Sequence, residues 1–565
     1  MQIKPKLFTS RSSAKLFVFL LGAALGVAVF LAVYGTSALH PSNDGWILNG
    51  YDEWDVQQHY AGWLLFRNSH WSFPLGLADT LAMPDGTSIS YTDSLPWVSI
   101  FFKLLRGVLP STFQWFGWYT LFCFAMQGGA GALLCTRGIR RTVPLALTAA
   151  LGGLLFSMLP TLWERAFRHT ALASQWLFLL ALYVWLEYRR QLPDRSRLWL
   201  AFPVLAFLSV GIHPYFLPCV MVFALLAAWE DARTARRPGS AVLHFALSLA
   251  AAVVGGLLCG ALGSGTVSRS GYGDFSMNLN AVINPSSRGG YTWSRVFPAL
   301  GQQPGQYDGF NYLGLGVLVL IAAALLVSAV RAVRRPPKAW WRRNGPAFAV
   351  CLFLTLFAVS NRIYWGNAGI DLPLPEALVQ LCGIFRSSGR MFYPVAACMI
   401  VYAVYTLRSL PFRTSGVICL AVAVALQAFD LSAVAAEKRA RFEAPVSETV
   451  VNAEETATLG IGHTRLLATG EVREDRLRLL AILAGKQGLS TNLDISVSGE
   501  HPAAAQSRAD TADALLAGQC ESDAVYVTTD QGTWNLWQQV FQDREDLTFF
   551  VADSCYFLVP DQTTS

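Results

Sequence analysis

The sequence predicts a polytopic α-helical membrane protein of about 11 transmembrane helices, followed by a small extracytoplasmic α/β domain. Three observations predict it. The 565 residues are 53% hydrophobic and only 14% charged, with 18 Trp, 35 Phe and 18 Tyr. Mean hydropathy is +0.38, whereas a soluble chain carries about 25% charged residues. Apolar runs near bilayer length recur along the first three quarters of the chain, and alternate turns between them are short and basic. These features exclude a soluble enzyme, a disordered chain and a nucleic-acid-binding protein. The net charge of +6 lies largely in those turns, so it reports orientation rather than a polyanionic partner. Seven of the ten cysteines (Cys123, Cys135, Cys219, Cys259, Cys351, Cys398, Cys419) sit in apolar runs, where Cys packs as a small hydrophobe.

A spanning helix needs about 20 mostly apolar residues. Candidate spans lie near 15–35, 112–135, 142–160, 170–188, 198–212, 214–230, 241–263, 312–330, 346–360, 390–408 and 413–433. The pair 198–212 and 214–230 is short and divided by His213-Pro214, and reads as two thin helices. Placing the N-terminus (Lys4, Lys6, Arg11, Lys15) in the cytoplasm puts five basic turns on that side: Arg137 to Arg141, Arg189 to Arg197, Arg233 to Arg237, Arg331 to Arg343, and Arg408 with Arg413. An odd number of spans then leaves the C-terminal segment outside. The first apolar run, 16–34, exceeds the roughly 7–15 residues of a signal-peptide core, so it reads as a retained anchor.

Residues 434–565 change character, with charged and small polar residues returning. Ala524-Val525-Tyr526-Val527 and Thr548-Phe549-Phe550-Val551 read as strands and 473–485 as a helix, giving a soluble α/β domain of ordinary size. Cys520 and Cys555 are its only cysteines. Outside the cytoplasm they are candidates for a disulfide, with two reduced core thiols the alternative.

Chemistry concentrates in the outer loops 36–111, 264–311 and 361–389. Just after the first span runs Tyr51-Asp52-Glu53-Trp54-Asp55-Val56-Gln57-Gln58-His59-Tyr60. Clustered carboxylates beside an apolar slab are pushed toward higher pKa by desolvation and mutual repulsion. One can serve as a general base, or a pair can hold a divalent cation. Residues from Gly62 to Ser72 read as an amphipathic helix lying on the membrane, and 95–109, with Lys103 and Arg106 on one face, as a second.

The outer segments between 36 and 433 hold a single Lys but ten Arg, against the positive-inside tendency. Guanidinium forks suit phosphate oxygens. Two clusters stand out: Arg165 and Arg168 in Trp163-Glu164-Arg165-Ala166-Phe167-Arg168-His169, and Arg386 and Arg390 at the entry to the tenth span, near a helix N-terminus that also favours anions. The loop 264–311 offers Tyr272, Asn278, Tyr307 and Asp308 among glycines. Aromatic faces and amides of this kind suit a sugar, and equally suit loop packing. His213 and Tyr215 sit at the outer helix break, and His213 is a candidate proton relay.

This layout resembles the GT-C superfamily of integral-membrane glycosyltransferases: one span, a large outer loop opening on an Asp-containing motif, many further spans, and an outer C-terminal domain. It is most similar to a bacterial GT-C-like group with a Gly-Asp-Pro-x-Gln-His-Tyr-x-Gly-Trp stretch, then Trp-x-Phe-Pro-Leu-Gly and Tyr-Thr-Asp-Ser-x-Pro. The matching residues are Trp54 to Trp63, Trp71-Ser72-Phe73-Pro74-Leu75-Gly76 and Tyr91-Thr92-Asp93-Ser94-Leu95-Pro96. Gly271-Tyr272-Gly273, Ser276-Met277-Asn278, Gln306 to Phe310 and Ser388-Gly389-Arg390 also look alike. The similarity covers most of 36–433. Trp54-Asp55-Val56 stands where the group has Gly-Asp-Pro, so Asp55 is the matching carboxylate and Asp52 the reserve.

The resemblance implies sugar transfer, with inversion, from a polyprenyl-phosphate-linked donor to a cell-envelope glycan, lipid or protein acceptor on the outer face of a bacterial inner membrane. Asp55 would be the base and Arg386, Arg390, Arg165 and Arg168 would hold the donor phosphate. Glu53, Gln58, His59, Asp93, His169, His213, Tyr215, Tyr272, Asn278, Tyr307 and Asp308 would line the substrate site. A divalent cation, Mg or Mn, stays open as a cofactor, as does none. The competing reading is a transporter or flippase for a lipid-linked sugar, which calls for ionisable residues deep in the spans; here polarity gathers at their outer ends.

Overall fold

The computed structural model describes residues 11–50, 55–190, 196–233, 236–262, 271–334, 338–412, 414–497 and 499–561. Among these, six helices are long and apolar enough to cross a membrane: Ser12–Tyr34, Phe116–Thr136, Thr170–Tyr188, Pro238–Cys259, Leu315–Val333 and Ser388–Arg408. Ser415–Asp430 and Ser432–Phe442 meet at a 50° bend and make a seventh if they are one broken span. Thr142–Ser157 and Ala201–Ile212 are apolar but shorter. The remaining two expected spans fall in Phe216–Arg233 and Lys338–Val359, which carry charged residues at one end. The break at His213-Pro214 does separate two helices.

Two physical features fit these helices to hydrocarbon. Pro238–Cys259 and Leu315–Val333 leave most of their apolar surface uncovered, with Val253 50% and Leu257 47% exposed, a face that water would penalise. Small residues also set the helix contacts. A Cβ on Gly22 would lie 2.4 Å from the Gly128 carbonyl oxygen, and one on Gly153 2.8 Å from the Gly22 Cα. The helices Arg11–Tyr34, Phe116–Thr136 and Thr142–Ser157 therefore touch backbone to backbone, as small-residue seams allow in membranes.

The loop after the first helix departs from expectation. Its helix is Asp55–Asn68, beginning before Gly62, and it leaves no open apolar face, because Val56 through Arg67 are all buried. The reason is the C-terminal domain. Its helix Glu474–Gln487 covers the first-loop helix so closely that a Cβ on Gly485 would lie 2.6 Å from the Leu64 Cβ. The Asn68 amide donates to the Gly485 carbonyl at 2.7 Å, and Lys486 pairs with Asp44 at 2.7 Å. Pro96–Leu104 does present an outward apolar face, Phe101 and Leu104, as an interfacial helix requires. Its Lys103 turns inward, 4.0 Å from the Phe66 ring, 4.6 Å from that of Trp71 and 2.7 Å from the Ser69 hydroxyl.

The C-terminal domain is a five-stranded sheet in the order Ser490–Thr491, Arg465–Ala468, Ala524–Thr528, Cys555–Pro560, Leu547–Ala552, the first two pairings parallel and the last two antiparallel. The loop after the first helix extends its edge: Ala82 and Met83 donate to the Leu493 and Thr491 carbonyls, and Thr491 donates back to Thr80. The sheet thus grips the loop through main chain. Cys520 and Cys555 are not joined. Cys520 precedes the strand Ala524–Thr528 and lies by Arg544, while Cys555 starts the antiparallel neighbour at the other end of the sheet, so the register keeps the thiols apart.

Candidate functional site

The helix Asp55–Asn68 puts Asp55 and His59 one turn apart on one face. Against it packs the turn Tyr91-Thr92-Asp93-Ser94-Leu95. Asp93 and Leu95 hold left-handed backbones, φ 53° and 45°, a conformation that costs of order 1–3 kcal/mol per residue and persists only where neighbours enforce it. Here the Ser94 hydroxyl donates to the His59 carbonyl at 2.8 Å, the Ser94 N–H to Ile89, and the Thr92 and Ser94 hydroxyls meet at 2.8 Å. The turn can sit this low because residue 62 is glycine. A Cβ there would lie 2.2 Å from the Thr92 Oγ1 and 2.4 Å from the Ser94 Oγ. Gly62→Ala would gain about 1 kcal/mol of helix propensity but overpack the turn at a cost of about 1–3 kcal/mol. The expected result is a lower unfolding midpoint for the purified protein, and an unchanged or raised one would remove the turn from this account.

The Asp93 carboxylate is 15% exposed and faces two imidazoles: His169 Nε2 at 3.5 Å and His213 Nε2 at 3.8 Å. His59 completes the group, its ring centroid 5.3 Å from that of His169. Burial pushes the Asp93 carboxyl up to about 7; Arg390 pulls it down, Asp55 pushes it up and Arg386 pulls it down. One carboxylate therefore senses both the first-loop acid and the two late arginines. Burial drives His59 down to about 3, helped by the charge of Arg478 from the C-terminal domain. Burial likewise holds His169 and His213 well below the ordinary histidine value, and Arg390 adds to it. All three imidazoles are neutral at pH 7. The Tyr215 N–H donates to His213 Nδ1 at 3.2 Å, which leaves the His213 proton on Nε2, toward Asp93. His59 Nδ1 and His169 Nδ1 are buried with no hydrogen-bond partner among the described residues.

Beside this group lies a charge network. Asp308 binds Arg165 Nη1 at 2.7 Å and Arg390 Nη2 at 3.0 Å. Burial opposes its ionisation, but the two guanidiniums hold its carboxyl well below the usual range. Glu164 takes Arg165 at 2.7 Å, Arg168 at 3.1 Å and Arg288 at 3.3 Å, and Arg165 Nε also donates to the Tyr393 hydroxyl at 3.0 Å. Phe167 supports the bend between the arginines in a left-handed conformation, φ 65°, wedged against Tyr34, Trp46 and Phe442. Arg390 lies 4.8 Å over the Tyr215 ring, and the Tyr215 hydroxyl accepts from the Ser387 N–H.

The expected site residues thus divide. Asp55, His59, Asp93, His169, His213, Tyr215, Asp308, Arg386 and Arg390 gather in one region. Arg165 and Arg168 are buried at 1% exposure and paired with carboxylates, so their guanidinium charge is already met within the protein. Arg386 differs: it is half-buried, lies 5.8 Å from the Phe275 ring, and makes no ion pair or hydrogen bond among the described residues. The Asn278 amide binds Gln306 and the Gly366 carbonyl, and the Tyr272 hydroxyl binds the Phe357 carbonyl, so both are committed to loop packing. Tyr307 carries the Arg288 guanidinium 4.3 Å over its ring. Gln58 is buried with its amide nitrogen unpartnered. Asp52 and Glu53 lie outside the described residues. Sequence reasoning missed Glu164 and Arg288; Glu164 was visible one residue before Arg165 and four before Arg168, but not its reach to Arg288. A separate cavity of about 580 Å³, lined by Lys15, Arg137, Arg140, Glu187 and Arg190 among others, opens at the opposite end of the first helix.

Residues 23–432 match a family described as a domain of unknown function, DUF6311, and residues 456–560 match its C-terminal domain. The chain belongs to the DUF6311 family. No curated protein matches it. Every side chain of the DUF6311 site falls within the first match except Arg478, which the second supplies to His59.

Proposed function

We propose that this chain is a GT-C-type membrane glycosyltransferase, moving a sugar with inversion from a polyprenyl-phosphate-linked donor to a cell-envelope acceptor at the extracytoplasmic rim. The observation that supports it is that Asp93 senses Asp55, Arg386 and Arg390 at once, so acid and cation groups more than three hundred residues apart share one region. The reading includes about eleven spans in a bacterial inner membrane, a cytoplasmic N-terminus and an outer C-terminal domain. In the reaction the acceptor oxygen attacks the anomeric carbon and its proton passes to Asp55. The bond from that carbon to the phosphate oxygen breaks, and the electron pair leaves with the phosphate. Arg386, with no carboxylate of its own, meets the charge that develops there. Arg390, shared with Asp308, sets the edge of the phosphate site.

The test is transfer from a labelled polyprenyl-phosphate sugar in membranes containing the protein. Arg386→Ala is expected to lower kcat/KM for the donor by about 10²–10³, and Arg386→Lys to recover part of it. Full activity in Arg386→Ala removes the phosphate role. A wild type that transfers nothing but carries lipid-linked sugar between leaflets overturns the reading in favour of a flippase.

A further inference from the structure

We propose that His59, His169 and Asp93 bind one divalent transition-metal ion of the zinc class. Each offers one ligand atom, and the three atoms lie within 4.8 Å of one another. A tetrahedral shell with bonds of about 2.1 Å sets ligand atoms about 3.4 Å apart. The pair Asp93 Oδ2 and His169 Nε2 stands at 3.5 Å already, so only His59 must close by a small side-chain rotation.

Four observations separate this group from a satisfied polar core. His59 is 1% and His169 8% exposed, yet Nδ1 of each has no hydrogen-bond partner among the described residues. Leaving a buried ring nitrogen without a partner costs about 1–3 kcal/mol, so these rings are not locked in place by a completed hydrogen-bond network and can turn toward a ligand. The Asp93 backbone is held in a left-handed turn that aims the carboxylate at both rings. His213, with its proton set on Nε2 by the Tyr215 N–H, faces the second carboxylate oxygen at 3.8 Å. A closure of about 1 Å would make it the outer-shell donor that orients a metal-bound carboxylate. Finally, Arg390, the guanidinium whose charge weighs most on Asp93, is already paired with Asp308, and Asp55 offsets the smaller effect of Arg386.

The donor set decides the class of ion. Two imidazole nitrogens and one carboxylate oxygen favour zinc or a neighbour over magnesium, which prefers six oxygens. This departs from the Mg or Mn suggested by the sequence alone. Three protein ligands leave one position open, the pattern of catalytic rather than structural zinc.

The test uses the full chain in detergent with the metal alone and no sugar, so its failure leaves the transfer reading standing. Stripped protein is titrated with Zn²⁺ and, separately, Co²⁺. The expected result is about one ion per chain, visible ligand-field bands for Co²⁺, and a zinc X-ray absorption spectrum showing nitrogen and oxygen neighbours with imidazole scattering. Asp93→Asn and His169→Gln, checked as monodisperse, should weaken binding at least tenfold. His501→Gln, which breaks a His–Asp pair in the C-terminal domain, should bind as wild type. Substoichiometric metal in wild type, sulfur in the absorption spectrum, wild-type affinity in Asp93→Asn, or equal loss in His501→Gln would each overturn the site. The wild-type spectrum decides even if the ligand variants fail to fold.

Discussion

Asp308→Asn should lower stability by about 3–5 kcal/mol, seen as a fall of roughly 5 °C or more in the unfolding midpoint of the detergent-purified protein. Asp308 is 6% exposed and bridges Arg165 to Arg390 through its two oxygens. Arg165 keeps Glu164 after the substitution; Arg390 keeps no carboxylate among the described residues. The loss is therefore mostly the cost of a stranded guanidinium at 11% side-chain exposure, too dry for solvent to screen well. A double variant with Arg390→Met should recover part of the loss, because removing both partners strands nothing. The pH dependence has a definite sign. The folded carboxyl is depressed by Arg165 and Arg390, so its stabilisation is complete above the unfolded value of about 3.9 and is lost as pH falls through the lower folded value. Wild type should lose this share in acid and Asp308→Asn should not. A midpoint unchanged by the substitution at neutral pH would show that the bridge carries no net stability.

How much of this was legible in the sequence varies with range. Helices whose apolar runs are long and local, such as Ser12–Tyr34 and Pro238–Cys259, follow from hydropathy because a bilayer imposes length on each segment independently. The strands at 524–528 and 547–552 follow from β-branched and aromatic runs. The first-loop helix was expected only from Gly62, whereas it starts at Asp55, and its surroundings were not foreseen. Its burial depends on Gly485, over four hundred residues away, and no local pattern encodes a lid. The same holds for the arginines. Arg165, Arg168, Arg386 and Arg390 look alike as outer cations, yet Glu164 and Asp308 consume three of them and spare Arg386. Asp93 ranked among many loop carboxylates in the sequence. What singles it out is the company of His59, His169 and His213, which come from three different segments and meet only in the fold.

Asp55→Asn should lower turnover by about 10²–10⁴, the usual share of a positioned general base, while leaving the midpoint near wild type and the KM for the donor little changed. The exchange keeps shape and removes only basicity and charge. Asp55 is the first residue of its helix, where helix N–H groups favour a negative charge. Asp93 has the opposite environment, a carboxyl raised to about 7 by burial among imidazoles. Two carboxylates close enough to sense each other, yet differently placed, suit different tasks: Asp55, at the helix start, takes the acceptor proton and Asp93 belongs with the histidines. The split between kinetic parameters decides it. Both variants lower kcat, but Arg386→Ala should also raise the KM for the phosphate-bearing donor, whereas Asp55→Asn should leave that KM unchanged, because the proton moves only as the acceptor attacks. If Asp55→Asn instead transfers sugar at the wild-type rate, the base is not Asp55.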